Sequence, residues 1–351
     1  MKRRKRIVAI GKVRIGGTCP VAVQSMTKTK TSDIKRTVAQ IKRLVRAGCE
    51  IVRLAVVNRA DAMALEKIKG SVSVPLVADI HFDHRLALAA IDAGIDKVRI
   101  NPGNIGDDRK VKEVIRRAQW RGIPVRIGVN SGSLPPAILR KYRHPTPRAI
   151  VESVKRSLDV FAGCNFDDIV ISAKGAAVLD TVRVYEILHE EFEYPLHIGI
   201  TEAGLPFRGG IKSAVGLGIL LHEHIGDTIR VSLTGDPVKE VVAAYEILSA
   251  LDLRRERPVL ISCPTCGRCD LKLEPVARAV EKRLGQYKRF MKIAVMGCVV
   301  NGPGEAREAD FGIACGRRIG IIFARGKEVK RVRESALVDT LFEVIDENIT
   351  D

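Results

Sequence analysis

The stretch Pro75-Leu-Val-Ala-Asp-Ile-His-Phe-Asp-His-Arg-Leu-Ala-Leu-Ala-Ala-Ile-Asp-Ala-Gly-Ile-Asp-Lys-Val-Arg-Ile-Asn101 decides the fold. It opens on one short apolar run, Pro75–Asp79, and closes on another, Lys97–Asn101, with apolar residues at helical spacing over Arg85–Ala93 between them. A continuous apolar run is how a strand buried on both faces reads, and a helix between two such runs is the crossover that a parallel pair requires. The unit recurs along the chain. Further runs lie at Val21–Ser25, Ile51–Val56, Pro124–Asn130, Asp168–Ser172, Leu196–Thr201 and Asp227–Ser232, with helical segments at Ile34–Ala47, Lys110–Arg121, Arg148–Ala162, Asp180–Glu190 and Val238–Leu248. Eight β-α repeats predict an α/β fold whose N-terminal domain, residues 1–252, is a (β/α)8 TIM-type barrel. Function in such a barrel belongs at the C-terminal ends of the strands.

Those ends carry charge. Arg53, Arg99, Arg126 and Arg230 fall within or near the end of a predicted strand between apolar neighbours, and Lys174 follows the sixth strand. A guanidinium at a barrel mouth has little bulk water, stays charged and needs an anion within reach. Asp79 and Glu202 could pair with some of these groups, but four arginines and a lysine exceed them. The excess favours a diphosphate, whose oxygens match bidentate arginine geometry. Asp79 and His81 follow the third strand, Asn101 the fourth, Asn130 the fifth and Glu202 the seventh, and Ser232 ends the eighth run. These groups suit proton handling and orientation of a ligand.

After Leu251 the composition shifts, and the charged stretch Asp252–Pro258 reads as a linker. Residues 258–351 read as a smaller α+β domain: strand Val259–Ser262, helix Glu274–Leu284, strands Lys292–Met296, Phe311–Ala314 and Ile319–Phe323, a further strand after the turn Arg325-Gly-Lys327, and helix Ser335–Glu347. Cysteines sit on its loops, in Cys263-Pro-Thr-Cys266 and in Cys298-Val-Val-Asn-Gly-Pro-Gly-Glu305. Three thiolates and a carboxylate are unusual for structural zinc, which prefers a closed Cys/His set; they suit an iron–sulfur cluster with one displaceable ligand. Gly302-Pro303-Gly304 places Glu305 on a sharp turn beside Cys298. Cys269 extends the first motif to Cys-x-x-Cys-x-x-Cys, but the next cysteine of a bacterial ferredoxin signature would fall at Leu273, so that reading fails. A zinc site of Cys263, Cys266 and Cys298 with Cys269 or Cys315 stays open on these residues alone.

The strings Ser262-Cys-Pro-Thr-Cys-Gly-Arg268 and Met296-Gly-Cys-Val-Val-Asn-Gly-Pro-Gly-Glu305 resemble the cluster motifs of the 4-hydroxy-3-methylbut-2-enyl diphosphate synthase family. The resemblance extends through Val77-Ala-Asp-Ile-His-Phe-Asp83, Val98-Arg-Ile-Asn-Pro-Gly-Asn-Ile-Gly106 and Gly199-Ile-Thr-Glu-Ala-Gly204, and so covers nearly the whole chain. It implies that Cys263, Cys266, Cys298 and Glu305 ligate a 4Fe-4S cluster, with Cys269 and Cys315 outside the ligand set. It assigns Arg53, Arg99, Arg126, Arg230, Lys174 and Asn130 to diphosphate binding, with Asp79, His81, Asn101 and Ser232 beside them, and Glu202 to the acid neighbourhood of the reacting oxygens. The implied reaction is the reductive ring opening and dehydroxylation of 2-C-methyl-D-erythritol 2,4-cyclodiphosphate to 4-hydroxy-3-methylbut-2-enyl diphosphate. Electrons would come from flavodoxin or ferredoxin. A homodimer with its active site shared between subunits is implied too, and the linker argues the same way. It follows the last barrel helix, at the face opposite the strand ends, and is short against a barrel about 25–30 Å tall.

Bulk properties agree with this reading. At 351 residues with 46% hydrophobic content, the chain can bury a large core and a second, smaller one. It holds no apolar run of membrane-spanning length, and Met1-Lys-Arg-Arg-Lys-Arg6 lacks the apolar stretch of a secretory signal, so a cytoplasmic protein without membrane contact is expected. In a reducing cytosol eight cysteines speak for metal ligation and burial, with Cys49 and Cys164 as packing residues. The net charge of +18 attracts polyanions, and a zinc-containing RNA-binding protein on a barrel scaffold is the competing reading. Aromatic residues make up only 4% of the chain, too few for base-stacking platforms, so no nucleic-acid partner is expected.

Overall fold

The computed structural model describes residues 5–201, 204–266, 269, 272–297, 304, 309–315 and 319–349. The chain divides into two compact units, residues 1–254 and 255–351.

The first unit is a parallel barrel. Its strands are β3 (Ala22–Met26), β4 (Ile51–Ala55), β5 (Leu76–Asp79), β6 (Lys97–Ile100), β7 (Val125–Asn130), β8 (Ile169–Lys174), β9 (His197–Ile198) and β10 (Thr228–Ile229). They hydrogen-bond in the order β8-β7-β6-β5-β4-β3-β10-β9, and a parallel bridge from Ile171 to Leu196 closes the ring. Helices alternate with them: α1 (Ile34–Arg46), α2 (Arg59–Gly70), α3 (His84–Asp92), α4 (Asp108–Arg121), α6 (Pro147–Ala162), α7 (Val178–Glu191), α8 (Pro206–His222) and α9 (Val238–Ala250), plus a short α5 (Pro136–Tyr142) in the loop after β7. Asp33, Asn58, Asp83, Asp107 and Thr146 cap helix N-termini by accepting from backbone N–H groups, which is why these loops hand over to helix where they do. No helix among the described residues is long and apolar enough to cross a membrane.

Side chains alternate along each strand, so the barrel has two apolar zones and one polar one. Outward-facing Leu54, Ala78, Ile100, Ile127 and Ile171 pack under the helices in the main core. Inward-facing Ile51, Val77 and Val170 meet a hairpin of β1 (Val8–Ile10) and β2 (Val13–Ile15), which plugs the barrel at the N-terminal ends of the strands. The sequence reading did not foresee this hairpin. Beyond the plug the same inward phase turns polar: Gln24, Arg53, Lys97, Arg99, Arg126, Lys174, His197 and Thr228 are all buried. Barrel interiors are ordinarily filled by branched aliphatic residues, so a charged interior marks where this barrel departs from mere packing.

In the second unit β11 (Val259–Ser262), β12 (Lys292–Met296) and β13 (Phe311–Cys315) run parallel, and β14 (Ile319–Ala324) and β15 (Lys327–Arg333) continue the sheet antiparallel. Helix α10 (Leu273–Leu284) and the helix Leu337–Ile349 supply the rest of its core. Because three neighbouring strands are parallel, they deliver the residues that follow them to one end of the sheet. Those residues include Cys263 after β11 and Gly297 after β12, with Cys315 closing β13.

Candidate functional site

The rim is built by strand register. Asp79 pairs with Ala55 and Arg99, Arg99 with Arg126, and Asn130 with Lys174, so the inward residues of β4 to β8 share one mouth. Asp79 is the hub. Its Oδ1 accepts from Arg99 Nη1 at 3.0 Å, and its Oδ2 lies 3.5 Å from Arg53 Nε. Burial alone would raise the Asp79 carboxyl, but Arg53, His81, Arg99 and Arg126 together hold it well below the usual carboxylate range. Arg99 Nη1 also lies 2.6 Å from His81 Nε2, so the imidazole, the guanidinium and the Asp79 carboxylate form one contact group. Gly128 on β7 makes the pose possible, since a Cβ there would run into the Arg99 guanidinium.

The sequence reading missed a second carboxylate. Glu240, in the first turn of α9, is buried; its Oε2 accepts from Ser25 Oγ at 2.9 Å and lies 3.7 Å from Arg230 Nε, while its Oε1 lies 3.0 Å from Lys28 Nζ. A signal existed: in a β-α barrel the first helical turn after a strand sits at the mouth, and Glu240 is the acid in that turn of α9. Lys97, His197 and Gln24 were also missed, although stepping by two from Arg99 places Lys97 on the inward face.

Positive charge still outruns negative here. Asp79 is taken by Arg53 and Arg99, and Glu240 by Arg230 and Lys28. Arg126 is 1% exposed and neither its Nε nor its Nη1 finds a hydrogen-bond partner among the described residues, where Lys174 forms no ion pair either. Burial pushes Lys174 well below the ordinary lysine range, and Arg53, Arg230, Arg126 and Arg99 push it further. Arg99 Nε and Ser232 Oγ are buried with no hydrogen-bond partner among the described residues, and Arg230 Nε has only its 3.7 Å ion pair with Glu240. So many orphaned donors around one mouth fit an anion with several oxygens. Asn101 is engaged elsewhere: its Nδ2 donates to Ser133 Oγ at 2.9 Å and its Oδ1 accepts from Gly103, which ties the loop after β6 to the turn after β7. Asn130 is half-buried at the end of β7. Glu202 lies outside the described residues.

Of the proposed cluster ligands, Cys263 and Cys266 are described, whereas Cys298 and Glu305 lie outside the described residues. Cys263 is half-buried and its Sγ accepts from the Gly297 N–H at 3.4 Å; Cys266 is exposed. Thr265 between them has φ +54°, a left-handed residue that turns the chain tightly enough to present both thiols from one loop. Cys269 Sγ lies where a Cβ on Gly297 would be, so that glycine admits it. Cys315 is buried in the core of the sheet, and burial, with lesser contributions from Glu334, Cys269 and Cys263, pushes its thiol up to about 12. Soft donors on one loop, one of them already receiving an N–H hydrogen bond, fit an iron–sulfur group.

Comparison with known proteins gives concordant findings. Residues 5–245 match the GcpE TIM-barrel domain and residues 259–347 the GcpE protein C-terminal domain. A protein of Nitratidesulfovibrio vulgaris called 4-hydroxy-3-methylbut-2-en-1-yl diphosphate synthase (flavodoxin) is 55% identical over 95% of this chain and 86% of its own length. Proteins of the same name from Clostridium perfringens and Fusobacterium nucleatum are each 51% identical, over 98% and 99% of this chain and 99% of their own lengths.

Proposed function

The chain belongs to the GcpE family and is a flavodoxin-dependent oxidoreductase that forms 4-hydroxy-3-methylbut-2-enyl diphosphate from 2-C-methyl-D-erythritol 2,4-cyclodiphosphate in isoprenoid precursor synthesis, and we propose that the charged barrel interior holds the diphosphate for this reaction. The observation that carries the proposal is the set of buried cationic groups left over once Asp79 and Glu240 are engaged. The zinc-containing RNA-binding reading finds no support among the relatives.

In this reading Arg53, Arg99, Arg126, Arg230 and Lys174 bind the two phosphoryl groups, and Asn130 and Ser232 complete their hydrogen bonds. Asp79 and His81 fix the Arg99 fork, and Asn101 holds the loop that borders the mouth. Cys263, Cys266, Cys298 and Glu305 would hold a 4Fe-4S cluster, which when bound supplies single electrons at a potential no side chain can reach. The ring C–O bond opens and the hydroxyl leaves as water, with two electrons and two protons consumed. Glu202 gives a proton to the departing oxygen. The arginines keep the diphosphate charge fixed while this happens, at no reorganisation cost because they are already in place. We place the protein in the cytosol, where thiols remain reduced for cluster assembly.

Anaerobically purified protein is expected to be brown, to contain iron and acid-labile sulfide, and to convert the cyclodiphosphate with reduced flavodoxin. Zinc as the sole metal in active protein would contradict the cluster.

We further read the active site as shared between two copies of the chain. Arg254 still belongs to the barrel: its Nη1 donates to Val21 O at 2.8 Å and its Nη2 to Glu50 Oε1 at 3.1 Å, both at the N-terminal ends of strands. Only residues 255–258 remain before β11, a span of about 14 Å at full extension. The family resemblance implies that the cluster-bearing unit of one copy serves the barrel of another, and two-fold symmetry then completes both sites. Co-expressed Arg126→Ala and Cys298→Ala chains are expected to regain activity in mixed dimers, since one of the two sites combines an intact barrel with intact cluster ligands. Mixed dimers as inactive as both parents would contradict a shared site.

A further inference from the structure

The barrel interior holds one amine to which the proposed reaction gives no task. Lys97, at the start of β6, is wholly buried, and its Nζ reaches no hydrogen-bond acceptor among the described residues. Beside it in register on β5 is Val77, and the charged groups acting on it are Arg126 of β7 and Arg53 of β4. His197 of β9 is near enough to feel Lys97, together with Arg126, Arg53 and Lys174 of β8. Thr228 of β10 holds His197 Nδ1 at 2.7 Å, and His197 Nε2 has no partner. The carboxylate on β5, Asp79, is engaged by Arg53 and Arg99, and Glu240 of α9 by Arg230, Lys28 and Ser25. No carboxylate among the described residues pairs with Lys97.

An ammonium sealed from water with no acceptor, under the field of guanidinium groups, is strongly disfavoured against the neutral amine, so the group gives up its proton instead. Burial first, then Arg126 and Arg53, push Lys97 well below the ordinary lysine range. The same forces push His197 down. A floor of neutral amine and neutral imidazole is what lets so many cations share the mouth above it.

We infer that Lys97 is a charge-regulating positioning residue for the diphosphate: neutral in the free enzyme, it takes up a proton when a doubly charged ligand settles on Arg53 and Arg126. This rests on the assignment of the diphosphate to the barrel. The ligand offsets the guanidinium field that keeps the amine neutral; the proton comes from the buffer and stays on Nζ, and no other bond changes. The new charge then adds to the attraction for the ligand. A neutral or singly charged sugar derivative cannot draw the proton in and gains nothing from it, so the device selects for a diphosphate. The sign follows by linkage. Between the depressed value in the free enzyme and the ordinary lysine range near about 10.4, binding consumes a proton, and affinity therefore falls as pH rises.

The cyclodiphosphate suits the test, because each phosphorus carries a single acidic hydroxyl that stays ionised near neutrality, so any proton taken up goes to the protein. Holoenzyme without reductant, titrated calorimetrically with the cyclodiphosphate at about pH 8 in buffers of low and high ionisation enthalpy, is expected to take up about one proton per site. In Lys97→Met the uptake should fall by more than half, and the affinity should lose most of its pH dependence. Buffer-independent heats in the unaltered enzyme, or equal uptake in Lys97→Met, would overturn the inference. Absence of any binding would instead overturn the diphosphate site itself. Thermal melting checks that the variant is folded, and Lys97→Gln replaces it if it is not.

Discussion

Arg126→Met is expected to weaken binding of the cyclodiphosphate by about 2–4 kcal/mol, roughly thirty- to a thousandfold, while leaving the barrel as stable as before or more so. Both halves of that expectation come from one observation. Arg126 is buried on β7 with two of its nitrogens lacking hydrogen-bond partners among the described residues, so in the free protein the attraction of Asp79 offsets only part of the cost of keeping its charge from water. Methionine fills most of the volume and removes that cost. The bound ligand, by contrast, loses a charge-assisted partner in a site with little water. Calorimetric affinity and thermal unfolding, measured on the same preparation, separate the two effects. A variant that unfolds readily yet binds normally would show that Arg126 serves the fold.

The second large effect belongs to the cysteine loop. Cys266→Ala is expected to abolish turnover and iron retention, whereas Cys269→Ala, three residues on, should keep iron, sulfide and most activity. Their settings differ: Cys266 is exposed at the end of a tight turn beside Cys263, while Cys269 packs against Gly297 and the apolar core of its unit. Cys315 is sealed in the same core with its thiol pushed up to about 12, and Cys315→Ala should likewise keep the cluster. Calorimetric binding to the Cys266→Ala protein, run in parallel, tells loss of the cluster from loss of the fold. Iron loss in Cys269→Ala with Cys266→Ala unaffected would shift the ligand assignment by one position in the motif.

The barrel was legible because parallel strands buried on both faces leave unbroken apolar runs, and each of the eight runs corresponds to a strand in the structure. The plug at its base was not. β1 and β2 are three residues each, although Gly11-Lys12 between Val8-Ala-Ile10 and Val13-Arg-Ile15 is a hairpin signal in hindsight. The rim arginines were legible one by one, since a charge inside an apolar run has few explanations. Their partners were harder to see. Asp79 was foreseen as a pairing candidate, but Glu240 shares its helix with Lys239 and Glu246, and only its place in the first turn after a strand marks it as the acid that turns inward toward Arg230. Lys97 and His197 went unnoticed for a different reason. Each stands at the start of a run and reads as a polar edge residue; only the two-residue step to Arg99 or Gly199 shows that it faces the interior. Glu202, Cys298 and Glu305 rest on their motifs.

The most direct test of the central claim is a crystal structure of the holoenzyme soaked with the cyclodiphosphate in the absence of reductant. The account predicts diphosphate oxygens within hydrogen-bonding distance of Arg53, Arg126, Arg230 and Lys174, among them the Arg126 and Arg230 nitrogens that have no hydrogen-bond partner in the free barrel among the described residues. A diphosphate bound elsewhere, with those side chains still unoccupied, would contradict it.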